Sequence, residues 1–377
     1  MEADEIQQLT VLGAGTMGHG IGEIAALQGL EVKIRDIKRE FLDQGMEAVK
    51  GNLRRLEEKG RISSQEVQET LDRIVPVVSM EEAVSESQLI LEAVPEKEKI
   101  KRKVFEEADH YAPEEALLAS NTSSLSITKL STFTKRPSRF LGLHFFNPPQ
   151  KMKLVEVVEG EETNPHTIKV GMSFARRLGK TPVHCQKDHP GFIVNAVLFP
   201  YLLEACWSLD RGEGAIPEID AAVKYDYELP MGPFELIDLV GLDVTTEIGK
   251  AIDWPVPDLL TDKVDAGELG RKSGNGFYDY EDGGATYDEN HAKEYDALPL
   301  ISVLINAAAE LLRKNVATPE AIETGLKLGA GFPKGPLEMA KSTGVDKVQS
   351  ELESLQERLD LKRYSPSPIL EEGTIEG

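Results

Sequence analysis

Cysteine is nearly absent. Cys185 and Cys206 are the only two in 377 residues, and their spacing suits no metal site, so a disulfide-framed fold is excluded. No apolar run approaches the ~18–20 residues that a membrane-spanning helix needs. The opening MEADEIQQLTVLG is acidic and enters a strand directly, unlike a signal or transit peptide. The reducing cytoplasm is the expected compartment. Positive charge is also short, with 42 Lys and Arg against 65 Asp and Glu and a net charge of −23. That balance argues against nucleic-acid or anionic-membrane partners, because a phosphate surface would be repelled. Any anionic ligand must be met by local basic groups and helix N-termini.

What is present is the composition of a globular protein, 40% hydrophobic and 28% charged, long enough for two or three domains. Residues 9–36 read as strand, Gly-rich turn, helix and strand, and a charged helix follows over 38–58 with a break at Gly60. Short apolar runs at 89–94, 116–121 and 139–146 have the texture of buried parallel strands. Strands at 153–160 and 181–186 flank a helix at 164–178. This alternation predicts an α/β fold with a doubly wound sheet over residues 1–187. From Phe192 the apolar spacing becomes helical, which predicts an all-α domain over 188–290.

That helical region partly recurs. IDAAVKYDYELPMGPFELIDLVGLD (219–243) aligns without gaps on IETGLKLGAGFPKGPLEMAKSTGVD (322–346) at an offset of 103. Pro230, Gly232, Pro233, Glu235, Gly241 and Asp243 reappear as Pro333, Gly335, Pro336, Glu338, Gly344 and Asp346. The recurrence predicts a second, duplicated helical domain over 296–360. Residues 361–377 form a tail, expected to be extended and loosely held beyond about 364.

Gly13-Ala14-Gly15-Thr16-Met17-Gly18 is a GxGxxG turn between a strand and a helix, with Asp36 ending the next strand ~20 residues on. Gly13 permits the tight turn, Gly15 lets a pyrophosphate approach the backbone and Gly18 lets the helix pack on the sheet. Asp36 would accept hydrogen bonds from ribose hydroxyls and repel a 2′-phosphate, so NAD is the expected cofactor. His144 stands at the C-terminal end of an apolar strand, where open α/β sheets bind their ligands. Glu156 follows on the next strand, within reach if the two strands are adjacent or antiparallel. Such a pair suits oxidation of an alcohol: imidazole takes the hydroxyl proton and the carboxylate fixes its tautomer.

The stretches SNTSSLSI (120–127), GLHFFNPPQKMKLVEVVEG (142–160) and DHPGFIVN (188–195) follow the Gly-rich turn in that order. LPMGPFELIDLVGLD (229–243) and GRKSGNGFYDY (270–280) come next. Over roughly residues 7–281 this pattern resembles the L-3-hydroxyacyl-CoA dehydrogenase family, with a Rossmann-type NAD domain and acyl-CoA as substrate. The resemblance implies His144 as general base and Glu156 as its partner, with Ser123 and Asn195 on the substrate oxygen. It places Ser123 with Glu96, Lys101, Asn147 and Lys272 near the cofactor, and Lys59 near the CoA phosphates. Asn52 stands where the family has a companion serine for that contact. Five of these have a plainer reading as well: a helix cap for Ser123, a polar residue of a first helical turn for Asn195, a surface ion pair for Glu96 and Lys101, and a solvated lysine for Lys59. His166, His184, His189 and Cys206 read as structural.

The resemblance further implies reversible oxidation of (S)-3-hydroxyacyl-CoA in fatty-acid β-oxidation or butanoate metabolism. The second helical copy, folded on the first, would imitate within one chain a dimer seen in single-copy relatives; a homodimer stays open. Two alternatives accompany this reading: a dehydrogenase of a free hydroxy acid on the same scaffold, and a non-catalytic NAD-binding relative.

Overall fold

The computed structural model describes residues 2–371. It divides into two compact units, Met1–Asp188 and His189–Gly377. Among the described residues no helix is long and apolar enough to cross a membrane.

The first unit is built on a sheet of β1 (Gln8–Leu12), β2 (Glu31–Arg35), β3 (Ile74–Val77), β4 (Leu89–Glu92), β5 (Leu117–Ser120), β6 (Phe140–Phe145), β7 (Leu154–Val158) and β8 (Thr181–Cys185). The helices of this unit are α1 (Thr16–Leu27), α2 (Arg39–Glu58), α3 (Ser64–Asp72), α4 (Met80–Val84), α5 (Glu98–Tyr111), α6 (Ile127–Ser131) and α7 (Pro165–Arg177). The strand order is β3-β2-β1-β4-β5-β6-β7-β8. Its first six strands have the doubly wound 3-2-1-4-5-6 order of a Rossmann-type sheet. Strands β1 and β4 are parallel neighbours, and the order in which strands are added reverses between them, the switch point at which such sheets open a crevice. Strands β4 to β7 are buried along their whole length, as expected for strands covered on both faces.

One strand is absent from the sequence reading. Strand β3, IVPV, carries Pro76 and leaves Val75 exposed, so it lacks the apolar run that marks its neighbours. It survives because it is an edge strand, where a missing backbone N–H is tolerated; the opposite edge, β8, carries Pro182. The join between β6 and β7 is the one antiparallel pairing among the described strands, one of the arrangements that the sequence reading allowed for His144 and Glu156. It sets His144 directly opposite Glu156.

The second unit contains α8 (Val194–Asp210), α9 (Ile216–Asp226), α10 (Pro233–Val240), α11 (Leu242–Ala251), α12 (Asp258–Asp265), α13 (Leu298–Arg313), α14 (Pro319–Gly329), α15 (Pro336–Thr343), α16 (Val345–Leu359) and α17 (Pro368–Glu371). The bounds of α14 and α15 are those of α9 and α10 displaced by 103 residues, as is the start of α16 from that of α11. The recurring residues have matching tasks. Asp220 on α9 accepts the backbone N–H groups of Phe234 (2.8 Å) and Glu235 (3.0 Å) at the start of α10. Glu323 on α14 accepts those of Leu337 (2.8 Å) and Glu338 (3.4 Å) at the start of α15. Each carboxylate thus caps a neighbouring helix N-terminus, which has unpaired donors and a positive dipole end. A Cβ on Gly232 or Gly335 would stand 2.3 Å from the capping carboxyl carbon, which is why glycine recurs there.

The expectation of a loosely held tail is corrected over 365–371. Tyr364 is fully buried, its hydroxyl donating to Glu204 (2.7 Å), and Ser367 N–H donates to Asn306 Oδ1 (2.7 Å). The helix α17 then buries Leu370. One tyrosine and one leucine, too few to show a periodicity, hold this segment down. Residues 372–377 lie outside the described residues.

Candidate active site

At the sheet's switch point, the turn after β1 opens into a cleft of about 640 Å³ lined by Gly13, Gly15, Thr16, Met17, Asp36, Phe41, Val94 and Ile100, among others. The three motif glycines serve three purposes. Gly13 has φ +112°, and a Cβ there would meet the Ala93 carbonyl oxygen at 2.5 Å. A Cβ on Gly18 would stand 1.8 Å from the Gly13 carbonyl oxygen. A Cβ on Gly15 would touch nothing within 4 Å, since it points into open space where a ligand can approach the backbone. Gly15 is also the N-cap of α1 and supplies no side chain to the first-turn N–H groups. A glycine cradle at a helix N-terminus fits the pyrophosphate of a dinucleotide.

Asp36, at the end of β2, accepts the Ala14 N–H (2.8 Å) and the Ile37 N–H (2.7 Å). It therefore braces the Gly-rich turn and presents its charge at the cleft wall. Gly45 on α2 packs against the same turn, and a Cβ there would meet the Ala14 carbonyl oxygen at 2.8 Å. Nothing in the sequence spacing marks it.

His144 and Glu156 are both buried, and Nδ1 of the imidazole lies 2.6 Å from Glu156 Oε2. With the carboxylate on Nδ1, that nitrogen carries the proton and Nε2 is the basic atom. The ring packs against Phe146 at 4.6 Å between centroids. Next to it, Asn121 at the end of β5 accepts the Phe145 N–H through Oδ1 (2.9 Å) and ties the SNTSS turn to β6.

Ser123 lies in that turn, half-buried, and does not cap a helix: the N-cap of α6 is Ser126, whose side chain accepts the Lys129 N–H. Ser123 N–H donates to Glu96 Oε1 (3.1 Å), as does Ser124 N–H (3.3 Å). Glu96 pairs with Lys101 (2.9 Å), but this is no surface pair, since the lysine is 1% exposed. Burial pushes the Glu96 carboxyl up, yet Lys101 and the Thr122 hydroxyl outweigh it and hold it below the ordinary value. Lys101 also contacts Glu92, a fully buried carboxylate at the end of β4 whose pKa is raised by burial against the pull of Lys101. Glu92 escaped the sequence reading, although an acid inside the apolar run LILEAV must have a partner once that strand is buried.

Asn147 is exposed on the loop after β6, ahead of a cis bond to Pro148. Lys59 is the exposed C-cap of α2, while Asn52 donates to buried Glu23 (2.9 Å) and accepts from Arg55. In the second unit, Asn195 is buried in the first turn of α8, and the Lys272 ammonium is held by both oxygens of Asp243 at the start of α11. His184 pairs with Glu159 (2.9 Å).

The family model for the 3-hydroxyacyl-CoA dehydrogenase NAD-binding domain matches residues 8–189, and that for the family's C-terminal domain matches 191–280 and 300–377. The chain belongs to the 3-hydroxyacyl-CoA dehydrogenase family. The family's 3-hydroxybutyryl-CoA dehydrogenase from Bradyrhizobium diazoefficiens is 40% identical over 282 residues, 73% of this chain and 96% of that protein. The fatty acid oxidation complex subunit alpha of Idiomarina loihiensis is 34% identical over 91% of this chain, which corresponds to 51% of that protein. Among solved structures, a 3-hydroxybutyryl-CoA dehydrogenase from Escherichia coli K12 superposes with a TM-score of 0.90 at 29% identity, covering 98% of each chain.

Proposed function

We infer that the chain is an NAD-dependent dehydrogenase that oxidises the 3-hydroxyl of an (S)-3-hydroxyacyl-CoA to the 3-oxoacyl-CoA, reversibly, in fatty-acid β-oxidation or butanoate metabolism. The observation that carries the chemistry is the buried His144–Glu156 contact of 2.6 Å, at a strand end of the same unit as the glycine cradle. NAD would supply the hydride acceptor for the substrate carbon. His144 Nε2 takes the hydroxyl proton, and Glu156 stabilises the imidazolium that forms. Gly13, Gly15, Thr16, Met17, Gly18 and Asp36 would hold the dinucleotide. Ser123 and Asn195 are our proposed ligands of the substrate oxygen; Glu96, Lys101, Asn147 and Lys272 belong with the nicotinamide half and Lys59 with the CoA phosphates, all on the strength of the family pattern.

The direct test is reduction of acetoacetyl-CoA with NADH near neutral pH, at low and at high salt, followed by loss of NADH absorbance. Absence of turnover in both refutes the assignment. Equal turnover of free acetoacetate would move the substrate class to free hydroxy acids.

We also propose that residues 296–360 are a second, non-catalytic copy of the helical module, packed on the first as a pseudo-dimer within one chain. The paired carboxylate caps of Asp220 and Glu323 support this. A monomeric mass by light scattering is the expected result, and a stable homodimer would count against it. The reducing cytoplasm is the proposed compartment, in keeping with a chain that carries only two cysteines.

A further inference from the structure

Lys101 is the one fully buried lysine or arginine among the described residues. Its ammonium has three N–H donors, and three carboxylate oxygens surround it: Glu92 Oε1 at 2.6 Å, Glu92 Oε2 at 2.8 Å and Glu96 Oε2 at 2.9 Å. Two of the three positions belong to Glu92, which also accepts the Ser120 hydroxyl (2.6 Å) and the Val94 N–H (2.7 Å). Glu92 and Ser120 are register partners at the ends of neighbouring strands β4 and β5, so this carboxylate is fixed by the sheet itself.

The other end of the cluster is a turn. Glu96 turns its second oxygen, Oε1, away from Lys101 and gathers the Ser123 and Ser124 N–H groups with the Thr122 and Ser124 hydroxyls. Oxygen by oxygen, the contacts run from the sheet through Glu92, Lys101 and Glu96 to the backbone of Ser123. Without Glu92 the buried ammonium would keep a single protein partner. A buried charge so exposed either draws in water or pulls its remaining partner toward itself, and that partner is what holds the turn.

We propose that Glu92 is a positioning residue of this dehydrogenase: by saturating the Lys101 ammonium it fixes Glu96, and through Glu96 the turn that presents Ser123. The proposal rests on the reading of Ser123 as a substrate-oxygen ligand. It separates two groups of the cluster by task, Glu92 acting only through Lys101 while Glu96 holds the turn directly.

The test compares the full chain with its Glu92→Gln, Lys101→Met and doubly substituted variants. One readout needs no turnover: modification of Lys101 by N-hydroxysuccinimide acetate, followed by peptide mass spectrometry. Glu92→Gln should speed labelling of Lys101 at least about tenfold, as expected when a buried group opens locally. Its kcat for acetoacetyl-CoA reduction should fall about tenfold or more from misplacement of the turn, while the Kd for NADH rises by a smaller factor. On the Lys101→Met background, Glu92→Gln should cost nothing further.

Protection of Lys101 as in the wild type, an unchanged kcat, or independent losses in the double variant would each overturn the proposal. If Glu92→Gln does not fold, Ser120→Ala removes one bond to Glu92 without changing charge. It should show the same two effects at smaller size, and wild-type behaviour in both would overturn the proposal. Failure of the wild-type chain to reduce acetoacetyl-CoA would instead sink the dehydrogenase reading, with the labelling contrast still deciding the cluster.

Discussion

His144 and Glu156 face each other across the one antiparallel seam among the described strands, Nδ1 to Oε2 at 2.6 Å. Directly opposed residues of an antiparallel pair project to the same face. The contact therefore follows from strand direction as much as from side-chain chemistry. His144→Gln should lower kcat by about 10²–10⁴-fold, the usual worth of a general base, with NADH titration nearly unchanged. Retained turnover would remove His144 from that role. Glu156→Gln should lower kcat in the same direction, because a neutral amide stabilises the imidazolium less.

The second and third glycines of the turn should separate binding from stability. Gly18→Ala places a methyl 1.8 Å from the Gly13 carbonyl oxygen, so Tm and NADH affinity should fall together. Gly15→Ala meets no protein atom within 4 Å; Tm should hold while the Kd for NADH rises. A Gly15→Ala protein that binds NADH as the wild type does would place the pyrophosphate elsewhere.

Asp220 supplies a pH signature in the helical unit. Burial raises its carboxyl from 3.8 to about 7, although the Phe234 N–H and the Tyr278 hydroxyl pull the other way. Between those two values the native state holds a proton that the unfolded chain has lost, so this group's stabilisation is present below about pH 4 and fades as pH climbs to about 7. Asn does not titrate. The destabilisation caused by Asp220→Asn, measured by urea unfolding, should therefore be smaller at pH 8 than at pH 5. A gap that widens with pH would contradict the assignment.

Both tryptophans of the chain lie against one cation. The Arg363 guanidinium sits 5.2 Å from the Trp207 ring centroid and 5.9 Å from that of Trp254. Stacks of this kind contribute about 0.5–2 kcal/mol. Arg363→Ala should shift the tryptophan emission and lower Tm modestly, while acetoacetyl-CoA reduction persists. Unchanged emission would mean that the 362–371 segment does not dock in solution.

The glycine turn, the strand bearing His144 and the helical recurrence at 103 residues were legible because each leaves a periodic or spaced trace. Glu92 was not, since a single acid in LILEAV breaks no period and its partner Lys101 belongs to the next helix. Ser126 rather than Ser123 caps α6, and a run with serine at 123, 124 and 126 offers several cap candidates. The reversal at β6–β7 is equally silent, because an eight-residue connection between strands permits either direction until the neighbouring strand is known. Strand β3 hid behind Pro76 and an exposed valine.

Those prolines have a consequence for how copies of the molecule can meet. A sheet grows between molecules when an edge strand offers a row of backbone donors and acceptors, and Pro76 and Pro182 interrupt that row on both flanks. Templated strand addition is disfavoured from either side, which also blunts the route to fibrous aggregation. Any self-association of this protein is then favoured on surfaces other than the two sheet edges.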